Sequence, residues 1–317
     1  MAVETSTYPR GWFILLCSNE LANGEVKSVE YFGQRLVVFR SEEGEVSVLD
    51  AFCPHLGADL GIGGKVVGDT IKCPFHAWRF NGEGQCVDIP YAEKIPKKAC
   101  TRSWQLDEVN GFIFIWHAPA GVEPDYRIPV IPEYEDDAWT TWTMNIRTID
   151  THPREIVENV ADRGHFSIVH GTHIDKFDNE FVDHMAVQHS EGVAYPRGGG
   201  KDEFKLKATY YGPAYQITEM DSALPNRLVN AHTPISENQL HLRFGVMLKK
   251  IADDERMSLF AQKYVENLQI GFAEDVQIWE HKVYRAQPNF CDGDGPIGKL
   301  RRWYRQFYVE PQTVEAK

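Results

Sequence analysis

The sequence predicts two domains of different class, an all-β domain over residues 1–120 and an α+β domain over residues 121–317. Three observations predict it. The chain is too long for one small module. Its first third is punctuated by short apolar runs and turn residues, whereas its last third carries a long helical pattern. Between them, PAGVEPDYRIPVIPEYED at 119–136 has four prolines and little periodicity, as a linker does.

In the first domain the runs WFILLC, SVEYF, RLVVFR, VSVLDAF, TIKCPF and GFIFIWH are rich in aromatic and β-branched residues and read as strands. NGE, EEGE, GIGG and NGEG supply the turns. In the second domain DAWTTWTMNIRTI alternates like a strand, and PREIVENVADRGHF reads as a helix after a turn. DEFKLKATYY, YQITEM, NRLVNAH and QLHLRFGVML follow as strands. ERMSLFAQKYVENLQIGFAEDVQIWEHKVY is a long helix. This order gives a large antiparallel sheet packed against a C-terminal helix.

A formal charge of −13 argues against nucleic acid or an anionic membrane as the main partner. The basic run KLRRWYR at 299–305 reads as a solvated helix face. The apolar run near the N-terminus lacks the basic flank and cleavage site of a signal peptide. No run reaches the ~18 residues of a membrane span. A cytoplasmic setting is expected, in which thiols stay reduced and regularly spaced Cys and His suggest metal before disulfide.

Such spacing occurs in CPHLGADLGIGGKVVGDTIKCPFH, residues 53–76. Two Cys and two His could hold a structural zinc, but zinc pairs are usually of one kind. Here each pair mixes thiolate with imidazole, the arrangement of a Rieske [2Fe–2S] centre, with Cys53 and Cys73 on one iron and His55 and His76 on the other. Pro54 and Pro74 stiffen the turns, and Gly57, Gly61, Gly63 and Gly64 let backbone amides approach. No second cysteine in either tip offers a disulfide across the cluster, unlike respiratory Rieske proteins. Cys17, Cys86, Cys100 and Cys291 read as structural thiols.

A second centre is suggested by ENVADRGHFSIVHGTH at 158–173. Asp162 and His165 are three apart on one face of the expected helix. His165 and His170 are five apart, about 140° around a regular helix, and could share an ion only if the helix distorts or ends between them. Two imidazoles and one carboxylate make the facial triad that holds Fe(II) with open positions for dioxygen. On the long helix Phe260, Tyr264, Leu268, Phe272, Val276, Trp279 and Val283 form an inward seam. Asp275 lies beside this seam and Glu274 points away, so Asp275 is the expected third ligand. His173 is a competing candidate, read as a loop or pocket residue.

These motifs, with YPRGWF at 8–13, YFGQRLVVFR at 31–40, EDVQIWEHK at 274–282 and CDGDGPIGKLRRWYRQFY at 291–308, resemble the Rieske non-haem iron oxygenases. Within them they resemble the oxygenase components of 3-ketosteroid 9α-hydroxylases and the sterol 7-desaturases. The resemblance implies a Rieske domain followed by a helix-grip domain, and mononuclear Fe(II) on His165, His170 and Asp275. It further implies that Asp162 bridges His165 to His76 of a neighbouring subunit in a homotrimer, with Asn159 near the iron. An NAD(P)H-dependent flavin and iron–sulfur reductase, or a ferredoxin plus reductase, would supply electrons. O₂ would be co-substrate to the hydroxylation of a bulky apolar, steroid-like molecule. Desaturation, oxidative demethylation or ring formation on a secondary metabolite is the alternative, and a non-enzymatic electron carrier a third reading. Ala77 stands where the family commonly has Gly after the second cluster histidine, tolerable unless positive φ is required. The chain is also shorter than steroid hydroxylases between His170 and Asp275, the stretch that lines the pocket.

Overall fold

The computed structural model describes residues 7–195, 199–251 and 255–309, so the outer ends of both predicted domains lie outside the described residues. The chain divides into two compact units. One comprises residues 14–116, and the other the chain up to Phe13 together with the chain from His117 onward.

The strands of the first unit, with Gly11–Phe13 of β1 and His117 of β10 belonging to the other, are β1 (Gly11–Cys17), β2 (Val26–Tyr31), β3 (Gln34–Arg40), β4 (Val46–Asp50), β5 (Lys65–Val67), β6 (Thr70–Lys72), β7 (Arg79–Phe80), β8 (Cys86–Asp88), β9 (Leu106–Val109) and β10 (Phe112–His117). They form sheets of order β1-β10-β9, β2-β3-β4 and β5-β6-β7-β8. Four of them, β5, β7, β8 and β9, are two to four residues long and carry no sustained apolar run, which is why pattern alone does not show them. Cys53 and Cys73 are buried in a core with Phe39, Leu60, Ile71, Trp78 and Phe80.

The second unit is an α+β helix-grip. Its strands are β11 (Thr143–Ile149), β12 (His173–Val182), β13 (Met185–Ala194), β14 (Asp202–Tyr211), β15 (Tyr215–Asp221), β16 (Asn226–Ser236) and β17 (Gln239–Leu248). They make one antiparallel sheet of order β11-β17-β16-β15-β14-β13-β12. β12 and β13 were not among the predicted strands. β13 buries Ala186, Gln188 and Ser190, residues that give no hydrophobic alternation.

The helices are α1 (Pro153–Val157), α2 (Gly164–Ile168), α3 (Glu255–Trp279) and α4 (Ile297–Tyr304). α3 packs on β17 and β11. Its seam is inward from Tyr264 to Trp279, against Phe244, Val246 and Leu248 at one end and Ile149, Leu240 and Leu242 at the other. It does not extend further: Phe260 is exposed, and the helix stops before Val283, which is exposed too. α4 turns Leu300, Trp303 and Tyr304 onto Val157, Val160 and Ala161, leaving Lys299, Arg302 and Arg305 to solvent.

Candidate metal centres

The four residues of the Cys/His motif sit on two loops of matching build, one after β4 and one after β6. In the first, Gly57 N–H donates to the Cys53 carbonyl at 2.9 Å and Cys53 N–H to the Ala58 carbonyl at 2.8 Å. In the second, Ala77 N–H donates to Cys73 at 3.2 Å and Cys73 N–H to Trp78 at 2.8 Å. Each loop closes through a left-handed residue, Gly57 at φ 75° and Ala77 at φ 59°. Positive φ is thus required at Ala77.

Both loops deliver a thiol and an imidazole to one place. The His55 and His76 rings lie 4.5 Å apart between centroids, and His55 stacks on Trp78 at 4.5 Å. Trp78 is held by its Nε1–H, which donates to the Tyr91 hydroxyl at 2.8 Å. Burial, with a smaller contribution from the Cys73 thiol, pushes the Cys53 thiol up to about 11. A buried thiol such as that of Cys53 ionises readily only against a cation. Nδ1 of His55 is buried and has no hydrogen-bond partner among the described residues. The residues fit a cluster with two thiolate and two imidazole ligands. Around them Leu56, Phe75 and Tyr91 are exposed.

In the second unit the expected helix at 153–166 is broken. α1 passes into a 3-10 turn, Glu158–Ala161, and Asp162 is extended at φ −92° and ψ 99° before α2 begins. Asp162 therefore does not share a helix with His165. Its side chain reaches it all the same, Oδ2 lying 3.7 Å from His165 Nδ1. Burial opposes ionisation of Asp162, but the His165 ring and the backbone N–H groups of His165 and Gly164 outweigh it and hold the carboxyl below its usual range. α2 ends at Ile168, and Gly171 at φ 59° turns the chain into β12. Because the helix ends between them, His165 and His170 converge, with ring centroids 5.3 Å apart.

α3 brings the carboxylate. Ligand atoms of His165, His170 and Asp275 all lie within 4.8 Å of one another. Asp275 is buried, its Oδ1 3.3 Å from His170 Nε2. Nδ1 of His165 is buried without a hydrogen bond. Two imidazoles and one carboxylate on separate elements fit an octahedral ion with one face open. Glu274 does not point away as an ideal helix wheel predicts: its longer side chain brings Oε2 to 3.6 Å from His170 Nδ1. Burial lowers the affinity of His170 for a proton, but Asp275 and then Glu274 reverse this and leave it raised. His173 is exposed beside Asp175 and takes no part in the triad. Asn159 accepts the indole N–H of Trp279 at 3.3 Å.

Beside the triad lies a cavity of about 310 Å³, lined near the metal ligands by Phe166, Gly271 and Phe272 and further off by Phe204, Met220 and Leu268. Most of this lining is apolar, so it suits an apolar molecule.

Comparison with known proteins agrees with both centres. Residues 11–101 match the Rieske [2Fe–2S] domain, and residues 115–308 match the 3-ketosteroid 9α-hydroxylase C-terminal domain. The chain is 40% identical to a 3-ketosteroid-9-alpha-monooxygenase oxygenase component of Rhodococcus rhodochrous, over 99% of this chain and 84% of the relative. It is 34% identical to a cholesterol 7-desaturase of Ciona intestinalis, over 96% of this chain and 69% of the relative. The fold is shared with dicamba monooxygenase bound to dicamba, at a TM-score of 0.77 and 20% identity, covering 94% of this chain and 96% of that one.

Proposed function

The chain belongs to the Rieske oxygenases with a 3-ketosteroid 9α-hydroxylase C-terminal domain, and from that premise we propose that it hydroxylates a bulky apolar, steroid-like substrate. The carrying observation is the convergence of His165, His170 and Asp275 beside the apolar cavity. Cys53, His55, Cys73 and His76 would hold the Rieske cluster, and the triad the mononuclear iron. When bound, these groups supply single-electron transfer and activation of dioxygen.

The protein's own contribution is position and dryness. Asp275 is held inside the helix seam, so its charge is available to an ion and not to water. Glu274 fixes the His170 ring from the side opposite Asp275. Trp279 holds Asn159 beside the same segment. The apolar part of the cavity lining would hold the substrate with one carbon toward the triad.

Asp162 orients His165 and, in this reading, joins it to the cluster histidine His76 of a neighbouring copy in a homotrimer. Support comes from its half-exposed carboxylate and from the exposed apolar side chains Leu56, Phe75 and Tyr91 around the cluster. Electrons would come from NAD(P)H through a separate reductase, as the designation oxygenase component indicates for the Rhodococcus relative. A cytoplasmic setting is supported by six free cysteines, and no helix among the described residues is long and apolar enough to cross a membrane.

Turnover under ¹⁸O₂ with a 3-keto-4-ene steroid, a surrogate reductase and NADH tests the proposal. A product heavier by one labelled oxygen is expected. A product two hydrogens lighter without label would instead establish desaturation, the reading favoured by the Ciona relative. No steroid product from a protein whose cluster reduces and reoxidises would remove the steroid.

A further inference from the structure

The cavity has a second polar end. α3 supplies both: Asp275 at the metal and Tyr264 eleven residues earlier. Eleven residues are close to three full turns, so the two side chains share a face within about 20° and stand roughly 16 Å apart along the axis. Leu268 and Phe272 lie between them along the helix, and Leu268 packs with Phe204 and Met220. Asp202, at the start of β14, lines the cavity with Tyr264.

Hydrogen bonding at this end has a direction. Ser222 donates its hydroxyl to the Leu224 carbonyl at 3.0 Å, which leaves it able to accept from Tyr264 across their 2.6 Å contact, and Asp202 is a second hydrogen-bond partner of the phenol. Asn226 Nδ2 donates to the Tyr264 oxygen at 3.3 Å. The Tyr264 proton thus has two acceptors within the protein, Ser222 and the Asp202 carboxylate, and the phenol oxygen keeps a lone pair. Burial, reinforced by the charge and hydrogen bond of Asp202 against the donating Asn226 amide, lifts Tyr264 to about 12, so the phenol stays protonated. Asp202 Oδ1 accepts the backbone N–H of Ala223 at 2.8 Å, and a carboxylate has only lone pairs to offer. Asn267, one turn along α3, adds an amide that serves either polarity.

We propose that Asp202 and Tyr264 form an acceptor pair that selects substrates bearing a hydroxyl, over those bearing a ketone, at the end remote from the carbon facing the metal. This rests on the steroid-like reading above. A hydroxyl donates to the carboxylate in a charge-assisted bond. A ketone oxygen there faces the lone pairs of Asp202 and Tyr264 and has only the Asn267 amide to accept from. Discrimination of about tenfold or more follows for a polar pair of this kind.

Equilibrium dialysis of the full-length protein with both cofactors and no reductase tests this. Two pairs of ligands are compared, 17β-hydroxy with 17-keto androst-4-en-3-one, and a 3β-hydroxysteroid with its 3-keto counterpart. The hydroxyl member of at least one pair should bind about tenfold tighter. Asp202→Asn, whose Oδ1 can still accept the Ala223 N–H, should reduce that preference to about twofold or reverse it, with iron content and circular dichroism unchanged. Tyr264→Phe should reduce it as well. Equal binding within both pairs, or a preference that survives Asp202→Asn, overturns the proposal alone. Failure of all four steroids to bind overturns the steroid reading and the proposal with it.

Discussion

The two cluster loops offer a reciprocal test of backbone strain. Ala77 occupies the left-handed region at φ 59°, where an L-residue loses about 1–2 kcal/mol relative to the right-handed region. Glycine escapes that cost but gives back about 0.4–1 kcal/mol through the greater freedom of the unfolded chain. Ala77→Gly is therefore expected to stabilise the first unit by about 0.5–1 kcal/mol. Gly57 holds the matching position at φ 75°, and a Cβ added there meets nothing within 4 Å. Gly57→Ala should destabilise by a similar amount, through the backbone alone. Urea unfolding followed by the visible circular dichroism of the cluster reads both. With a slope of about 2 kcal/mol/M, the midpoints should move by roughly 0.3–0.5 M in opposite directions. A lower midpoint for Ala77→Gly, or an unchanged one for Gly57→Ala, would refute the assignment of strain to these residues.

Gly295→Ala would place a Cβ 1.9 Å from the Ala161 carbonyl oxygen and 3.3 Å from Arg163 N, so the segment carrying Asp162 must shift. Loss of mononuclear iron with the cluster spectrum intact is expected, though no ligand is touched. Asp275→Ala should reduce the iron complement to that of the cluster, while Glu274→Gln should keep the iron but weaken its binding about 10–100-fold in a ferrous-ion titration. The raised affinity of His170 for a proton stabilises the metal-free protein below pH ~6.5, and this is lost as pH rises through the higher folded value. Melting of the metal-free protein should show that loss, while ferrous affinity increases over the same interval because the proton must leave. Asp162 has the opposite sign: its contribution is present above pH ~4 and lost as pH falls through its depressed folded value, an acid lability that Asp162→Asn should remove.

The convergence of Cys53, His55, Cys73 and His76 was legible because all four fall within one short stretch, where spacing alone implies a shared object. His165 and His170 were legible only conditionally, since their spacing demands a helix end that Gly171 and the short α2 provide. Asp275 emerged from helical periodicity. The same argument failed for Glu274, because angle on a wheel ignores the reach of a longer side chain. Tyr264 was read as seam and is also pocket wall; its eleven-residue spacing from Asp275 was the available signal. β12 and β13 escaped because a sheet face that buries Gln188 and Ser190 leaves no apolar alternation to find. The run KLRRWYR showed its charge in sequence, but the aromatic face that fastens it to Val157 and Val160 needed the fold.

The spacing of ligands along the chain has a further consequence, for the order of assembly. The cluster residues span 53–76 within a unit closed by residue 116, so this pocket is complete when little more than a third of the chain has been made. His170 and Asp275 are separated by the whole run from β12 to β17, and the triad exists only after that sheet has paired and α3 has docked on it. Such non-local closure is slow. The cluster can thus be inserted during synthesis, whereas the single iron must enter a finished fold. A chain interrupted before residue 275 would emerge coloured by its cluster and without the means to use it.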